Sequence, residues 1–159
     1  MDKLKTKSRI KSRKSEEGEK MKIGVVGYSS AKFNENKAKS LIRKAFDLVE
    51  TYHTTYPDGN YIVISGLTDV GIPALAYREA VRRNWGTMGV ACEKAKEYEL
   101  FPVDHKVISG KEWGDESEVF LYNIDLLIRI GGGTQSLEET QKAKDMGVEV
   151  YEYDLKEEN

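Results

Sequence analysis

Apolar residues are distributed along this chain in two alternating patterns. Lys22-Ile23-Gly24-Val25-Val26-Gly27, Tyr61-Ile62-Val63-Ile64-Ser65, Thr87-Met88-Gly89-Val90-Ala91-Cys92 and Asp125-Leu126-Leu127-Ile128-Arg129-Ile130 are short, nearly continuous apolar runs. That is how strands buried on both faces read. Lys106-Val107-Ile108 is a shorter run, and Val148 to Tyr153 alternates in the manner of an edge strand. Between the runs the apolar spacing lengthens to three and four residues. A helix is predicted over about 36–53, where Ala38, Leu41, Ile42, Ala45, Phe46 and Val49 share a face. A second follows the loop Gly66–Pro73 and runs to about Arg83, with Pro73 in its first turn. Further helices are predicted over Glu93–Leu100, from Asp115 (capping with Glu118) through Phe120, Leu121 and Ile124, and from about Leu137 to Met146, where Gly147 closes the helix. Tyr56-Pro57-Asp58-Gly59-Asn60 reads as a turn. Strands alternating with helices predict an α/β, Rossmann-like, doubly wound fold: a mainly parallel sheet with helices on both faces.

Composition adds one division. The first 20 residues hold eight of the 25 Lys and Arg and too few apolar side chains to pack, so they read as a disordered basic tail. Residues 21–159 read as a single Rossmann-like domain. The whole chain carries a net charge of −2, which gives no general attraction for nucleic acid outside that tail. Cys92 is the only cysteine, which excludes an internal disulfide framework and a cysteine-based zinc site. His53 and His105 are not linked as metal ligands by any spacing, and no metal is expected. No apolar stretch reaches the roughly 18 residues of a membrane span, and the N-terminus lacks a secretory core. The expectation is a cytoplasmic protein.

The candidate chemistry gathers where strands end. Gly27-Tyr28-Ser29-Ser30, Gly66-Leu67-Thr68-Asp69-Val70-Gly71 and Gly131-Gly132-Gly133-Thr134-Gln135-Ser136 each follow a predicted strand and combine glycine with hydroxyl residues. In parallel sheets ligands bind outside the carboxyl ends of the strands. Backbone N–H groups in such turns and at the following helix ends receive anions. The expected ligand is a phosphorylated small molecule, most simply a nucleotide. Gly131, Gly132, Gly133, Thr134 and Ser136 are expected to hold its phosphate, and Gly27, Ser29, Ser30, Gly66, Thr68 and Asp69 to line the rest. Gly24-x-x-Gly27 lacks the spacing of a dinucleotide fingerprint, which disfavours an ordinary NAD site. Glu139 is the candidate catalytic carboxylate, although Ser136-x-x-Glu139 also spells a capping box.

Gly131 to Glu139, with the Ser65-Gly66 loop and the Gly27–Ser30 turn, resembles the Rossmann-like superfamily of Lonely Guy proteins and molybdenum-cofactor carrier proteins. The resemblance spans roughly residues 21–153. The family pattern Pro-Gly-Gly-x-Gly-Thr-x-x-Glu is matched directly at Gly132, Gly133 and Glu139 and conservatively at Ser136. Gly131 stands for the proline and Gln135 for the third glycine. The resemblance implies a homo-oligomer, often a dimer. It also implies one of two functions. Lonely Guy enzymes are nucleoside 5′-monophosphate N-glycosidases that pair the motif glutamate with an arginine on the preceding helix. Here that helix, Asp115 to Ile124, contains no arginine or lysine. The carrier proteins bind a molybdenum-cofactor ligand without breaking it, and that implication suits this sequence better.

Overall fold

The computed structural model of the 159-residue chain describes residues 20–54 and 60–158. The expected tail, apart from Lys20, and the turn at 56–59 lie outside the described residues. The ordered elements are β1 (Met21–Gly27), α1 (Glu35–Tyr52), β2 (Tyr61–Ser65), α2 (Gly71–Arg82), β3 (Gly86–Ala91), a 3-10 turn (Glu93–Glu97), β4 (His105–Ile108), α3 (Ser117–Tyr122), β5 (Leu126–Ile130), α4 (Thr134–Asp145) and β6 (Glu149–Tyr153). The six strands form one sheet in the order β4-β3-β2-β1-β5-β6. Every pairing is parallel.

Strand side chains alternate between the two faces, and each face meets different helices. Ile23, Val25, Val63, Leu126, Ile128 and Ile130 pack against α1 and α2 through Ala38, Ile42, Phe46, Ile72 and Tyr77. Val26, Ile64, Val90 and Leu127 face Phe120, Leu121 and Ile124 of the α3 segment and Ala143 of α4. Burial on both faces is why the central runs carry no polar alternation. The chain winds outward from β1 through β2, β3 and β4. It then crosses to the other side of β1 for β5 and β6. The carboxyl ends of β1 and β5 therefore flank the switch in strand order, the place where such sheets leave a crevice.

Three local expectations are corrected. First, α4 begins at Thr134, three residues before the predicted start, with Gly133 as N-cap and no side chain capping it. Ser136 and Glu139 therefore lie inside the helix and form no capping box; each bonds across the structure instead. Second, Asp115 does not cap α3. Its carboxylate accepts the N–H groups of Lys111 and Glu112 and so folds the preceding loop, while Glu116 is the N-cap. Third, the acidic C-terminal segment does not fray up to Glu158. The Glu158 N–H donates to the Lys32 carbonyl at 2.8 Å, and Glu157 bridges Phe33 in antiparallel fashion. Leu155 is buried just before it.

Candidate functional site

The strand ends beside the switch point enclose a cavity of about 470 Å³, the size of a small-molecule site. The loop after β1 (Gly27 to Ala31) forms one wall, and Ser65 to Thr68 a second. Gly133 to Ser136, with Glu139, form the third, and Trp113, Glu116 and Phe120 close the fourth. Glu157 reaches the cavity from the C-terminal segment.

Each wall is set by hydrogen bonds outside the cavity. Tyr28 donates its hydroxyl to the Leu155 carbonyl at 2.8 Å, and its own carbonyl accepts the Ile72 N–H at 2.8 Å. Gly71 has φ +62°, and a Cβ there would run into the Tyr28 and Ser29 carbonyls. The β1 loop consequently lies directly over the start of α2. The second wall hangs on Tyr77. Its buried hydroxyl accepts the Ser65 N–H at 3.0 Å and lies 2.8 Å from the Gly66 carbonyl as donor. Burial pushes this phenol far above its ordinary pKa, so it stays protonated as that donor.

The third wall depends on two left-handed glycines. Gly131 has φ +60° and Gly132 has φ +109°, conformations only glycine adopts cheaply. A Cβ on Gly132 would sit 2.5 Å from the Ser136 Cβ. The turn is braced from behind by Arg129, a buried side chain whose Nη1 donates to the Gly131 carbonyl at 2.9 Å. Its other nitrogens reach Glu152 at 2.9 Å and Asp154 at 3.0 Å. The turn delivers α4 with Gly133 in extended backbone and no capping side chain. The first N–H groups of a helix have no intrahelical partners. Those of Thr134, Gln135 and Ser136 therefore start a positive helix end at the cavity wall.

Beside this helix start lies a carboxylate pair, Glu139 in the second turn of α4 and Glu116 at the N-cap of α3. Glu139 is 7% exposed, and its Oε2 accepts the Ser117 hydroxyl at 2.5 Å and Gln135 Nε2 at 3.2 Å. The same Gln135 nitrogen lies 3.3 Å from Glu116 Oε2, and Glu116 Oε1 accepts the Gly114 N–H at 3.0 Å. Burial raises the Glu139 pKa above its ordinary value, and the nearby Glu116 charge adds to the effect; the two donors offset only part of it. Among the described residues lining the cavity there are three carboxylates, Glu116, Glu139 and Glu157, and no Lys, Arg or His.

Of the residues expected to form a site, the structure brings Gly27, Ser29, Ser30, Gly66, Thr68, Gly133, Thr134, Ser136 and Glu139 to this one cavity. Gly131 and Gly132 stand behind the wall: the Gly131 N–H already donates to the Tyr153 carbonyl at 2.8 Å, so it is not free for an anion. Asp69 also lies outside the lining, with its carboxylate 3.2 Å from Arg78 and its N–H on the Glu99 carbonyl. Ser136 turns its hydroxyl to the Gly27 carbonyl at 3.3 Å, tying the two glycine loops together. Trp113, Glu116, Ser117 and Tyr77 were not singled out from the sequence. The Gln135–Glu139 contact had a readable signal in its four-residue spacing. Trp113 had one too, as an aromatic residue in a glycine-flanked loop. Glu116 and Ser117 had none, because their partners are 19 and 22 residues away.

Among the described residues no group of three or more His, Cys, Asp or Glu is placed to hold a metal ion, and no helix is long and apolar enough to cross a membrane. Asp104, beside the exposed His105, accepts the Thr87 N–H at 2.9 Å and so braces β3 rather than meeting its neighbour.

No known family profile and no curated protein matches the sequence. Solved structures do match the fold. The molybdenum cofactor carrier protein of Chlamydomonas reinhardtii superposes with a TM-score of 0.66 at 20% identity, covering 84% of this chain and 76% of the other. The molybdenum cofactor binding protein of the phototrophic bacterium Rippkaea orientalis gives 0.65 at 20%, over 84% and 76%. The structural-genomics target TM1055 gives 0.63 at 22%, over 82% and 72%. The chain thus has the Rossmann-like α/β fold of the molybdenum cofactor carrier proteins, one of the two groups its glycine motif resembles.

Proposed function

We propose that this chain binds one phosphorylated small molecule, of nucleotide or molybdenum-cofactor type, in the strand-end cavity and does not turn it over. The observation that carries the reading is the uncapped start of α4 at the cavity wall. Its N–H groups and the Thr134, Ser29 and Ser30 hydroxyls are the donors for a phosphate. Because the described residues of the lining include no Lys, Arg or His, the reading commits to a single phosphate group rather than a polyphosphate. The same absence separates Glu139 from the charged partner that bond cleavage at a nucleoside phosphate would use. The names of the similar structures, a cofactor carrier and a cofactor binding protein, support a carrier or sensor role. The reading includes a cytoplasmic, homo-oligomeric protein, which localisation of the tagged chain and sedimentation velocity test.

The test is an amide NMR titration with adenosine monophosphate, followed for a day. Shifts at Gly133–Ser136 and Ser29–Ser30 with a constant ligand spectrum support binding without turnover. Absence of shifts rejects a nucleotide at this place.

One observation favours the alternative, an N-glycosidase using Glu139: this carboxylate is buried against the cavity and holds its proton more tightly than usual, as a general acid does. Appearance of free adenine in the same sample, lost on Glu139→Ala, establishes that reading instead. Release that survives the substitution excludes Glu139 as its catalyst.

A further inference from the structure

Away from the cavity, the sheet has an open edge. β6 ends the strand order, and its strand partner among the described residues is β5 alone. Glu149, Tyr151 and Tyr153 aim their backbone groups inward, as the Gly131 N–H on the Tyr153 carbonyl shows. Val150 and Glu152 alternate with them and aim an N–H and a carbonyl each outward. The strand reads Glu-Val-Tyr-Glu-Tyr in unbroken register, with no lysine, proline or bulge, the features that commonly block pairing at an edge. Its charges are negative: Glu149 and Glu152 within it and Asp154 just after it. Glu152 meets Arg129 and Lys144, Asp154 meets Arg129, and Glu149 faces His53 at 3.2 Å.

A second pattern lies in residues 3–13, outside the described part of the chain. They read Lys-Leu-Lys-Thr-Lys-Ser-Arg-Ile-Lys-Ser-Arg. Lys or Arg stands at every second position, with Leu4, Thr6, Ser8, Ile10 and Ser12 between. A period of two gathers all these charges on one face of an extended strand, whereas a helix would scatter them around its axis. The segment has too few apolar side chains to pack alone. Adding to an existing sheet edge asks only for backbone hydrogen bonds and complementary side chains.

We infer that residues 3–13 of this chain add to β6 as an antiparallel edge strand, their basic face set against its acidic residues. Reach and direction both agree. Ile23 is level with Leu126 and Leu126 with Glu149, so the chain enters β1 at Met21 from the same end of the sheet at which β6 begins. Only β5 separates β1 from β6. The place outside β6 is therefore three strand spacings from β1, about 14 Å, and residues 14–20 span up to about 23 Å. A segment that turns back from there and lies along β6 runs opposite to it. One antiparallel strand at the edge of a parallel sheet is a common arrangement. The other edge, β4, lies on the far side of β2 and β3 and carries Lys106 and His105, which repel a basic strand or give it no acidic partner. Two β6 edges from two copies would bring Glu149, Glu152 and Asp154 against one another, which like charge opposes. The inference makes no use of the cavity and stands apart from its ligand.

Amide hydrogen exchange of the full chain, read residue by residue by NMR, tests this. The reference is a full-length variant carrying Lys5→Glu, Lys7→Glu, Arg9→Glu and Lys11→Glu. The Val150 and Glu152 N–H groups are expected to exchange at least about ten-fold more slowly in the wild-type chain than in that variant. The Tyr151 and Tyr153 N–H groups, which face β5, exchange alike in both. A second full-length variant keeps the composition of residues 3–13 and groups the basic residues together; it also loses the protection, because charge without alternation builds no one-sided strand. Rapid exchange of Val150 and Glu152 in the wild-type chain overturns the inference. So does protection that survives the charge reversal. Equal protection in the regrouped variant reduces the contact to unspecific charge attraction and overturns the strand. Protection that grows with protein concentration assigns the edge to a second copy and overturns the inference as well.

Discussion

Gly133→Asp separates stability from binding at the proposed anion site. Gly133 is the N-cap of α4, with φ −98° and ψ −154°, extended backbone that any residue adopts. A Cβ built there meets no atom within 4 Å. An aspartate fits without strain, and its carboxylate accepts the N–H of Gln135 or Ser136, as N-cap aspartates do. Over glycine this cap contributes a few tenths of a kcal/mol, and a negative charge at a helix start adds about 0.3–1 kcal/mol. The sum is about 0.5–1 kcal/mol of added stability. For a domain of this size that raises Tm by about 1–4 °C. The same carboxylate occupies the donors assigned to the phosphate and repels it. Losing two hydrogen bonds to a charged group costs the complex at least about 3 kcal/mol, a hundred-fold or more in Kd. Calorimetry measures the first effect and titration with a nucleoside monophosphate the second. Gly133→Ala, which leaves the N–H groups free, retains binding. A Gly133→Asp protein that melts no lower than wild type yet binds with unchanged affinity refutes the placement of the anion at α4.

Substituting Gly132, by contrast, cannot isolate binding. Gly132→Ala forces φ +109° on an L-residue and drives its Cβ to 2.5 Å from Ser136, so a loss of about 2–4 kcal/mol is expected in chemical denaturation. Arg129→Met leaves the Gly131 carbonyl without its side-chain donor and frees Glu152 and Asp154. About 1–3 kcal/mol of stability is lost, read as a lower urea midpoint with unchanged slope. Glu139 makes the ligand-free protein less stable as pH rises. Its native pKa lies above the ordinary 4.5, so the folded state holds a proton that the unfolded chain has released. That contribution is fully present below 4.5 and disappears as pH climbs through the raised native value. Glu139→Gln therefore melts higher than wild type at neutral pH, and the difference shrinks towards pH 4.5. A constant difference across that range contradicts the burial argument.

Much of this architecture is local information. Whether a segment is strand or helix follows from the spacing of its own apolar residues. The runs at 22–27, 61–65, 87–92 and 125–130 identified the central strands within a residue or so. The same local reasoning placed glycine-rich turns after three of them. It failed where a side chain had two possible partners, one near and one far. Ser136 and Glu139 have the spacing of a capping box, but Gly131 and Gly132 turn left-handed and start the helix earlier. Ser136 then bonds Gly27, 109 positions away, and Glu139 bonds Ser117 on another helix. Asp69 carries the residue type of a ligand-binding loop, yet Arg78 on α2 holds it outside the cavity.

By itself the sequence determined the alternation of strands and helices, the two-sided burial of the sheet and the kind of turn that ends its strands, because those depend on neighbours along the chain. Tertiary structure alone decided that β5 lies beside β1, which glycine N–H groups remain free, and that Glu116, Gln135 and Glu139 meet in one cavity with Trp113. These are meetings between distant segments, fixed by which packing buries both faces of the sheet at once, and no pattern within one segment encodes them.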